Sequence, residues 1–172
     1  MADGIALEGM RLIHENLRTA FTNGSDPVAR THMLMASAMG ATAFQKGLGL
    51  VHALSHPLGG ATGLHHGTAN AIFLPYVMVH NRAHIEDEMT RLTGYLGLAN
   101  PGFATALQWM LDLRRDLGLP HTLAETNGVD EALLKRLVPL AAADPSMGGN
   151  PKPLTNAEIE SVFLEALHGD LG

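Results

Sequence analysis

Apolar residues recur at intervals of three and four along most of the sequence, and no segment alternates convincingly between apolar and polar residues. This spacing is typical of helices that bury one face, whereas a half-buried strand alternates with a period of two. The first helix shows the pattern in its apolar residues: Ala6, Met10, Ile13, Leu17 and Ala20. The sequence therefore predicts an all-α fold of about seven or eight helices, arranged as a single domain over residues 1–172.

Residues typical of helix ends divide the N-terminal part of the chain. Ser25 or Asp26, followed by Pro27, predicts the start of a second helix that runs to about Gln45. This segment is rich in Ala, Met and Gly on all sides, and a helix that is apolar all round is usually a buried one. We therefore expect the second helix to lie in the core.

Prolines set the predicted boundaries in the middle of the chain. A short helix is expected over 48–56, because Pro57 follows at once. The next helix is expected over 67–80 and is apolar enough to be the central one. Pro75 should kink it or lie near its end, and a separate amphipathic helix should follow.

The C-terminal part of the sequence carries its own helix signals. Asp130 can start a helix in which Pro139 marks a potential break. Residues 144–153 hold three prolines and show no periodicity, so they predict a loop. Thr155 and Glu158 have the spacing of a capping box and predict the start of the last helix.

A glycine-rich segment over 47–75 carries four of the ten histidines of the chain. His52 and His56 are four residues apart and would lie on one face of a helix, one turn from each other. A short loop then leads to His65 and His66 at the start of the next helix, so imidazoles from two helix ends can converge. This pattern favours a metal or substrate site, and hydrogen-bonded core histidines are the open alternative. The sequence HALSH lacks the glutamate of a zinc-protease helix.

Composition excludes several classes of function. The chain has no cysteine, which rules out disulfides and thiolate metal sites. A net charge of −6 without a basic stripe argues against nucleic acid or a membrane surface as a partner. Apolar residues make up 46% of the chain, and charged residues make up 16%, so a disordered protein is not expected. The first residues show no signal-peptide pattern, and the cytoplasm is the expected compartment.

Two runs of sequence resemble a known family. GLGLVHALSHPLGG with HHGTANAIFLPYV, and later DPSMGGNPKPLT, resemble the iron-containing (group III) alcohol dehydrogenases. The resemblance covers essentially the whole chain. It implies the C-terminal helical domain of that family, which is dehydroquinate synthase-like in fold. It also implies the function of a metal-dependent, NAD(P)-linked alcohol dehydrogenase or aldehyde (or oxo-acid) reductase.

The resemblance assigns roles to three histidines. His52 and His66 correspond to ligands of the catalytic Fe(II), which zinc could replace. His56 corresponds to a residue beside the nicotinamide and the reacting carbon, so it is the candidate catalytic and cofactor-binding residue. The implied chemistry is Lewis-acid activation of the substrate oxygen by the metal, with hydride transfer between the substrate carbon and the nicotinamide.

The resemblance also implies parts that this sequence is expected to lack. They are an N-terminal nucleotide-binding domain and two further metal ligands, an aspartate and a histidine. We therefore expect a domain that acts on an alcohol or aldehyde in the full protein and is inactive alone. The alternatives are a non-catalytic helical remnant or assembly module, and a metal site completed across an oligomer. Exposed apolar surface around His52, His56 and the second helix predicts a homo-oligomer.

Overall fold

The computed structural model describes all 172 residues, and every regular element in it is helical. The prediction of an all-α fold is confirmed. The α-helices are α1 (Ala2–Thr22), α2 (Pro27–Ala43), α3 (Leu50–Thr62), α4 (His66–Tyr95), α5 (Phe103–Asp116), α6 (Glu131–Ala142) and α7 (Asn156–His168). Short 3-10 helices cover Phe44–Lys46, Leu123–Glu125 and Pro145–Gly149. None of the helices combines the length and the apolar character needed to cross a bilayer.

The predicted helix starts with capping residues are confirmed. Asp26 accepts hydrogen bonds from the backbone of the first turn of α2, and Pro27 is the first residue of that helix. Asp130 caps α6 in the same way. At α7, Thr155 and Glu158 form the reciprocal pair of bonds of a capping box. These side chains satisfy backbone N–H groups that have no partner inside the helix.

The prediction that the short helix ends near His56 is wrong, because α3 continues through Pro57 to Thr62. A proline inside a helix removes only one backbone hydrogen bond. Leu54 and Leu58 on either side of it are completely buried, and this burial offsets the loss. The helix ends where Gly63 adopts a left-handed conformation with φ of 73°.

The prediction of a helix over 67–80 and a separate amphipathic helix after it is also wrong, because α4 is one helix of 30 residues that contains Pro75. The proline leaves backbone carbonyl groups of the preceding turn without their usual donors. Arg114 of α5, which is 4% exposed, donates from Nη1 to the carbonyl oxygen of Ile72 at 3.3 Å. The carbonyl that loses its donor to Pro75 belongs to Ala71, so the Arg114 bond joins α5 to α4 one residue beyond it. The helix α6 also continues through a proline, Pro139.

The residues divide into two compact units, of which unit 1 contains 1–46 and 87–109. Within it, α1 packs along α2, and the two helices approach closely at Gly9. The prediction that α2 is buried all round is wrong. Leu34 is 72% exposed and Met35 is 46% exposed, while Ala29 and Ala36 are buried. A helix rich in Ala, Met and Gly lacks a distinct polar face in its sequence. It can nevertheless expose apolar side chains to solvent.

The exposed face of α2 leads to a prediction about assembly. We expect the chain to self-associate at high concentration, because Leu34 and Met35 present apolar surface to solvent. Leu34→Glu should shift multi-angle light scattering towards the monomer mass. Leu140→Glu is the control, since Leu140 is also exposed but lies on α6. A monodisperse monomer for the unsubstituted chain at high concentration would contradict the prediction.

Unit 2 contains residues 47–86 and 110–172 and holds the larger core. Phe73 of α4 meets Phe163 of α7 edge to face, with ring centroids 5.6 Å apart. Completely buried aliphatic residues surround this pair, among them Leu50, Leu54, Leu58, Ile72, Leu134, Ile159 and Val162. The leucines that α3 buries are spaced by four residues. His52 lies two positions after the first of them and therefore points to the opposite side of the helix.

Candidate metal and catalytic site

Three imidazole rings lie together in unit 2. His52 and His56 are one turn apart on α3, and His66 begins α4. The ring centroids are 5.7 Å apart for His52 and His56, 5.3 Å for His52 and His66, and 5.4 Å for His56 and His66. The rings of His56 and His66 are stacked with only 15° between their planes. The left-handed turn at Gly63 returns the chain from α3 to α4 and makes this approach possible.

The Nε2 atoms of His52 and His66 face one side chain, the amide of Asn70. Asn70 Nδ2 lies 3.0 Å from Nε2 of His66 and 3.4 Å from Nε2 of His52. An amide NH2 group only donates hydrogen bonds, so both imidazole nitrogens present lone pairs towards it. An unprotonated Nε2 is the form of histidine that binds a metal. The two rings therefore point their metal-binding atoms at a common region.

The carboxamide of Asn70 is only partly satisfied. Its Oδ1 is buried and has no hydrogen-bond partner. Leaving a buried acceptor without a donor costs about 1–3 kcal/mol. Between α3 and α4, two imidazole lone pairs thus face the Asn70 amide, and the oxygen of that amide has no hydrogen-bond donor. Nitrogen and oxygen atoms that present lone pairs suit a cation, and burying them without a cation or a hydrogen-bond donor is costly.

The electrostatic surroundings keep His52 in the neutral form. Burial lowers the pKa of His52, and positive charge on His66 or His56 would lower it further. The negative charge of Asp144 acts in the opposite direction and is the weakest of these influences. The lowered pKa of His52 favours the neutral form, which is the form that binds a metal.

His56 is held by a carboxylate from a distant part of the sequence. Its Nδ1 lies 2.9 Å from Oδ2 of Asp144. The side chain of His56 is 42% exposed, whereas that of Asp144 is 12% exposed. Partial burial opposes the ionisation of Asp144. Hydrogen bonds from the backbone of Ser146 and from His56 outweigh that effect and hold the pKa of Asp144 below its usual range.

The segment that carries Asp144 is fixed against α3 at its other end. Gly149 packs directly on the backbone of Leu48, where a Cβ atom on Gly149 would overlap the Leu48 carbonyl oxygen. Asn150 Oδ1 accepts a hydrogen bond from the backbone N–H of Leu50 at 3.3 Å and another from Asn81 at 2.9 Å. The amide of Asn150 thus satisfies a backbone donor at the start of α3. The segment 144–150 braces both the start of α3 and the turn that carries His56.

A cavity of about 390 Å³ lies beside His52 in unit 2. Its walls are mostly aliphatic, and its polar groups are the amides of three asparagines together with the imidazole. Those asparagines are Asn70, Asn81 and Asn150. A cavity with apolar walls and a few polar groups is the usual form of a small-molecule site.

The chain does not by itself assemble a complete set of metal ligands. No group of three or more His, Asp or Glu side chains is arranged to hold a metal ion. Asp3 and Glu8, two carboxylates of α1, have other partners. Asp3 pairs with Lys46 at 2.8 Å, and Glu8 pairs with Arg11 at 2.6 Å. His65 is exposed and has no part in the contacts among the three rings.

The sequence analysis missed two residues that the structure places at this site. Asn70 is four positions after His66, so the helical spacing alone could have placed it on the same face. Asp144 lies 88 residues after His56, and only its local role at the start of a turn is visible in the sequence. The structure brings His52, His56 and His66 together. Their predicted roles as ligands and catalytic residue stay predictions.

Comparison with known proteins identifies a family that shares this arrangement of helices. A family model described as "Fe-containing alcohol dehydrogenase family, C-terminal" matches residues 1–167. The chain is 38% identical to a 4-hydroxybutyrate dehydrogenase of Cupriavidus necator, over 96% of this chain and 45% of that protein. It is 33% identical to a 1,3-propanediol dehydrogenase of Citrobacter freundii, over 96% of this chain and 44% of that protein.

Solved structures give the same result. A 1,3-propanediol oxidoreductase superposes with a TM-score of 0.91 at 31% identity, over 96% of this chain and 45% of that chain. An alcohol dehydrogenase from Oenococcus oeni superposes with a TM-score of 0.89 at 30% identity, over 95% of this chain and 44% of that chain. The chain therefore spans a little under half the length of the relatives that it matches.

Proposed function

This chain belongs to the iron-containing alcohol dehydrogenase family and corresponds to its C-terminal helical domain, and we propose that it supplies half of the metal site of an NAD(P)-linked alcohol dehydrogenase. His52 and His66 are the proposed ligands of Fe(II), or of zinc in its place. His56 is the proposed catalytic residue, and it would also contact the nicotinamide when that cofactor is bound. The reaction is the interconversion of an alcohol with an aldehyde or oxo-acid.

The observation that supports this proposal is the shared orientation of two imidazoles. Nε2 of His52 and Nε2 of His66 both lie within 3.4 Å of one nitrogen atom, Asn70 Nδ2. Neutral imidazole binds both iron(II) and zinc well. The Oδ1 atom of the same Asn70 amide is buried and has no hydrogen-bond donor. These groups fit a divalent cation better than they fit a polar substrate group.

Each residue of the chain has a definite task in the proposed reaction. When bound, the metal ion would supply Lewis acidity towards the substrate oxygen. His52 and His66 hold that ion through Nε2. His56 is fixed at Nδ1 by Asp144, which leaves Nε2 to accept or release the hydroxyl proton of the substrate. The aliphatic walls of the cavity beside His52 offer an apolar surface to the carbon chain of the substrate.

The remaining parts of the active site are proposed to come from outside residues 1–172. A tight site needs about four ligands, or three with one open position. His52 and His66 provide two. We propose that a nucleotide-binding domain supplies the dinucleotide site and that an aspartate and a histidine complete the metal site. The coverage of 44–45% of the relatives' length leaves room for such a domain.

The proposed substrate class is that of small alcohols and the corresponding aldehydes or oxo-acids. The names of the two relatives indicate 4-hydroxybutyrate and 1,3-propanediol, which both carry a primary alcohol at the end of a short chain. A cavity of about 390 Å³ with aliphatic walls accommodates a chain of this kind.

A chimera tests the proposed function. The N-terminal portion of the Cupriavidus necator relative would be fused to residues 1–172, and reduction of a short aldehyde by NADH or NADPH would be measured with Fe(II) present. We expect activity in the chimera. His52→Ala or His66→Ala should lower kcat/KM by at least about a hundredfold, because removing a ligand of a catalytic metal costs several kcal/mol of transition-state stabilisation.

His65→Ala is the matched control, since His65 is the exposed neighbour of His66 and has no part in the ring cluster. This variant should retain the activity of the unsubstituted chimera. Equal losses in the variants of His65 and His66 would indicate a folding defect and not the loss of a ligand. A chimera that is folded but inactive, and that binds no metal, would favour the alternative of a non-catalytic helical module.

A further inference from the structure

Asp144 has two separate tasks, one for each carboxylate oxygen. Oδ1 accepts a hydrogen bond from the backbone N–H of Ser146 at 2.8 Å and so caps the 3-10 helix Pro145–Gly149. Oδ2 lies 2.9 Å from Nδ1 of His56. The first bond fixes the carboxylate relative to its own backbone. The second bond holds the imidazole of His56 on α3 in a fixed position relative to that carboxylate.

The imidazole of His56 needs such a partner because its surroundings constrain it weakly. The side chain is 42% exposed. Its other contacts are between rings, edge-on with His52 and stacked with His66. The hydrogen bond to Asp144 is therefore the contact that defines which ring nitrogen carries the proton. A carboxylate only accepts hydrogen bonds, so that proton is on Nδ1.

The carboxylate itself is held rigidly. Asp144 is 12% exposed in its side chain, and Pro145 restricts the backbone that follows it. At the other end of the same segment, Gly149 packs on Leu48, and Asn150 binds the N–H of Leu50. The segment 144–150 thus contacts α3 at two places. One is the start of the helix at Leu50, and the other is His56.

We propose that Asp144 is a positioning residue for His56, which it orients and holds as the Nδ1–H tautomer so that Nε2 is the nitrogen available for proton transfer. This inference deepens the proposed function and rests on it for the reaction that His56 serves. The tautomer itself is a property of residues 1–172 and can be measured without any activity. A histidine without such a partner mostly carries its proton on Nε2, so the predicted state differs from the usual one.

Asp144→Asn gives the sharpest test, because asparagine keeps an acceptor for the Ser146 N–H and remains a good capping residue. Long-range ¹H–¹⁵N spectra of the labelled chain, recorded at basic pH, report the tautomer. We expect the unsubstituted chain to show Nδ1–H. In the variant the ratio of tautomers should shift towards Nε2–H by at least about tenfold, because the amide NH2 that replaces Oδ2 can only donate and therefore needs an unprotonated Nδ1.

Asp130→Asn is the matched control. Asp130 caps α6 through the backbone N–H of Leu133 at 2.7 Å, as Asp144 caps its own turn, but no histidine is bonded to it. This variant should leave the His56 tautomer unchanged. In the chimera, Asp144→Asn should lower kcat by about 10- to 100-fold with a much smaller change in KM, as is found for other partners that orient functional histidines.

Three outcomes would overturn the inference. One is a His56 ring that stays Nδ1–H in Asp144→Asn, and a second is a ring that carries its proton on Nε2 in the unsubstituted chain. The third is a shifted tautomer with unchanged kcat, which would reduce Asp144 to a structural link between the segment and α3. An inactive chimera combined with the expected tautomers would instead reject the proposed reaction and leave the orientation of His56 established.

Discussion

Gly149→Ala is expected to lower the free energy of unfolding by about 3 kcal/mol, the upper end of the usual cost of overpacking. A Cβ atom at this position would overlap the carbonyl oxygen of Leu48 and lie 2.9 Å from its carbonyl carbon. These atoms belong to the backbone, so no side-chain rotation can relieve the overlap. For a chain of this length the melting temperature should fall by roughly 6–12 °C. Thermal denaturation followed by circular dichroism measures the change.

Gly148→Ala is the matched control for this prediction. No atom lies within 4 Å of a Cβ atom built on Gly148, so its stability should change by no more than about 0.5 kcal/mol. Amide hydrogen exchange provides a local measurement. The N–H of Leu50, which donates to Asn150, should exchange faster in Gly149→Ala than in Gly148→Ala. Equal stability of the two variants would show that segment 144–150 does not pack on Leu48 as described.

The sequence predicted the helical class because the periodicity of apolar residues is a local property. The capped helix starts at Asp26, Asp130 and Thr155 were predicted correctly for the same reason, since each signal is contained within one turn. The two errors, a helix end at Pro57 and a break after residue 80, have a different origin. A proline is a local reason to end a helix, but tertiary burial of the neighbouring side chains decides whether it ends.

The exposure of α2 could not be predicted for a related reason. Its sequence lacks a polar face, and the face that is buried depends on where α1 packs. The histidine cluster could be anticipated, because spacing of four residues and a glycine-rich return loop bring rings together from within one short segment. Asp144 could not be anticipated as a partner of His56, because 88 residues separate them and only the tertiary fold joins them.

Asn70→Asp should convert the two-imidazole site into one that binds divalent metal tightly in this chain alone. Aspartate has the shape of asparagine, and Asn70 Nδ2 lies 3.0 Å and 3.4 Å from the two Nε2 atoms. The substitution places a carboxylate oxygen where a hydrogen-bond donor was. Two histidines and one carboxylate form a ligand set that both zinc and iron(II) accept. We expect the affinity for Co(II) or Zn(II) to rise at least about a hundredfold, which corresponds to about 2.7 kcal/mol.

Co(II) titration followed by visible absorption measures this affinity, with the unsubstituted chain as the reference. If His66 is a ligand, adding His66→Ala to Asn70→Asp should abolish the gain, whereas adding His65→Ala should preserve it. The titration must be run at a neutral or slightly basic pH, because protons compete with the metal for imidazole nitrogens. An unchanged affinity would mean that the lone pairs of His52 and His66 do not share a binding point. It would therefore remove the observation on which the proposed metal site depends. A gain that needs His52 and His66 but not His65 would instead identify these two imidazoles as the part of the metal site that this chain contributes.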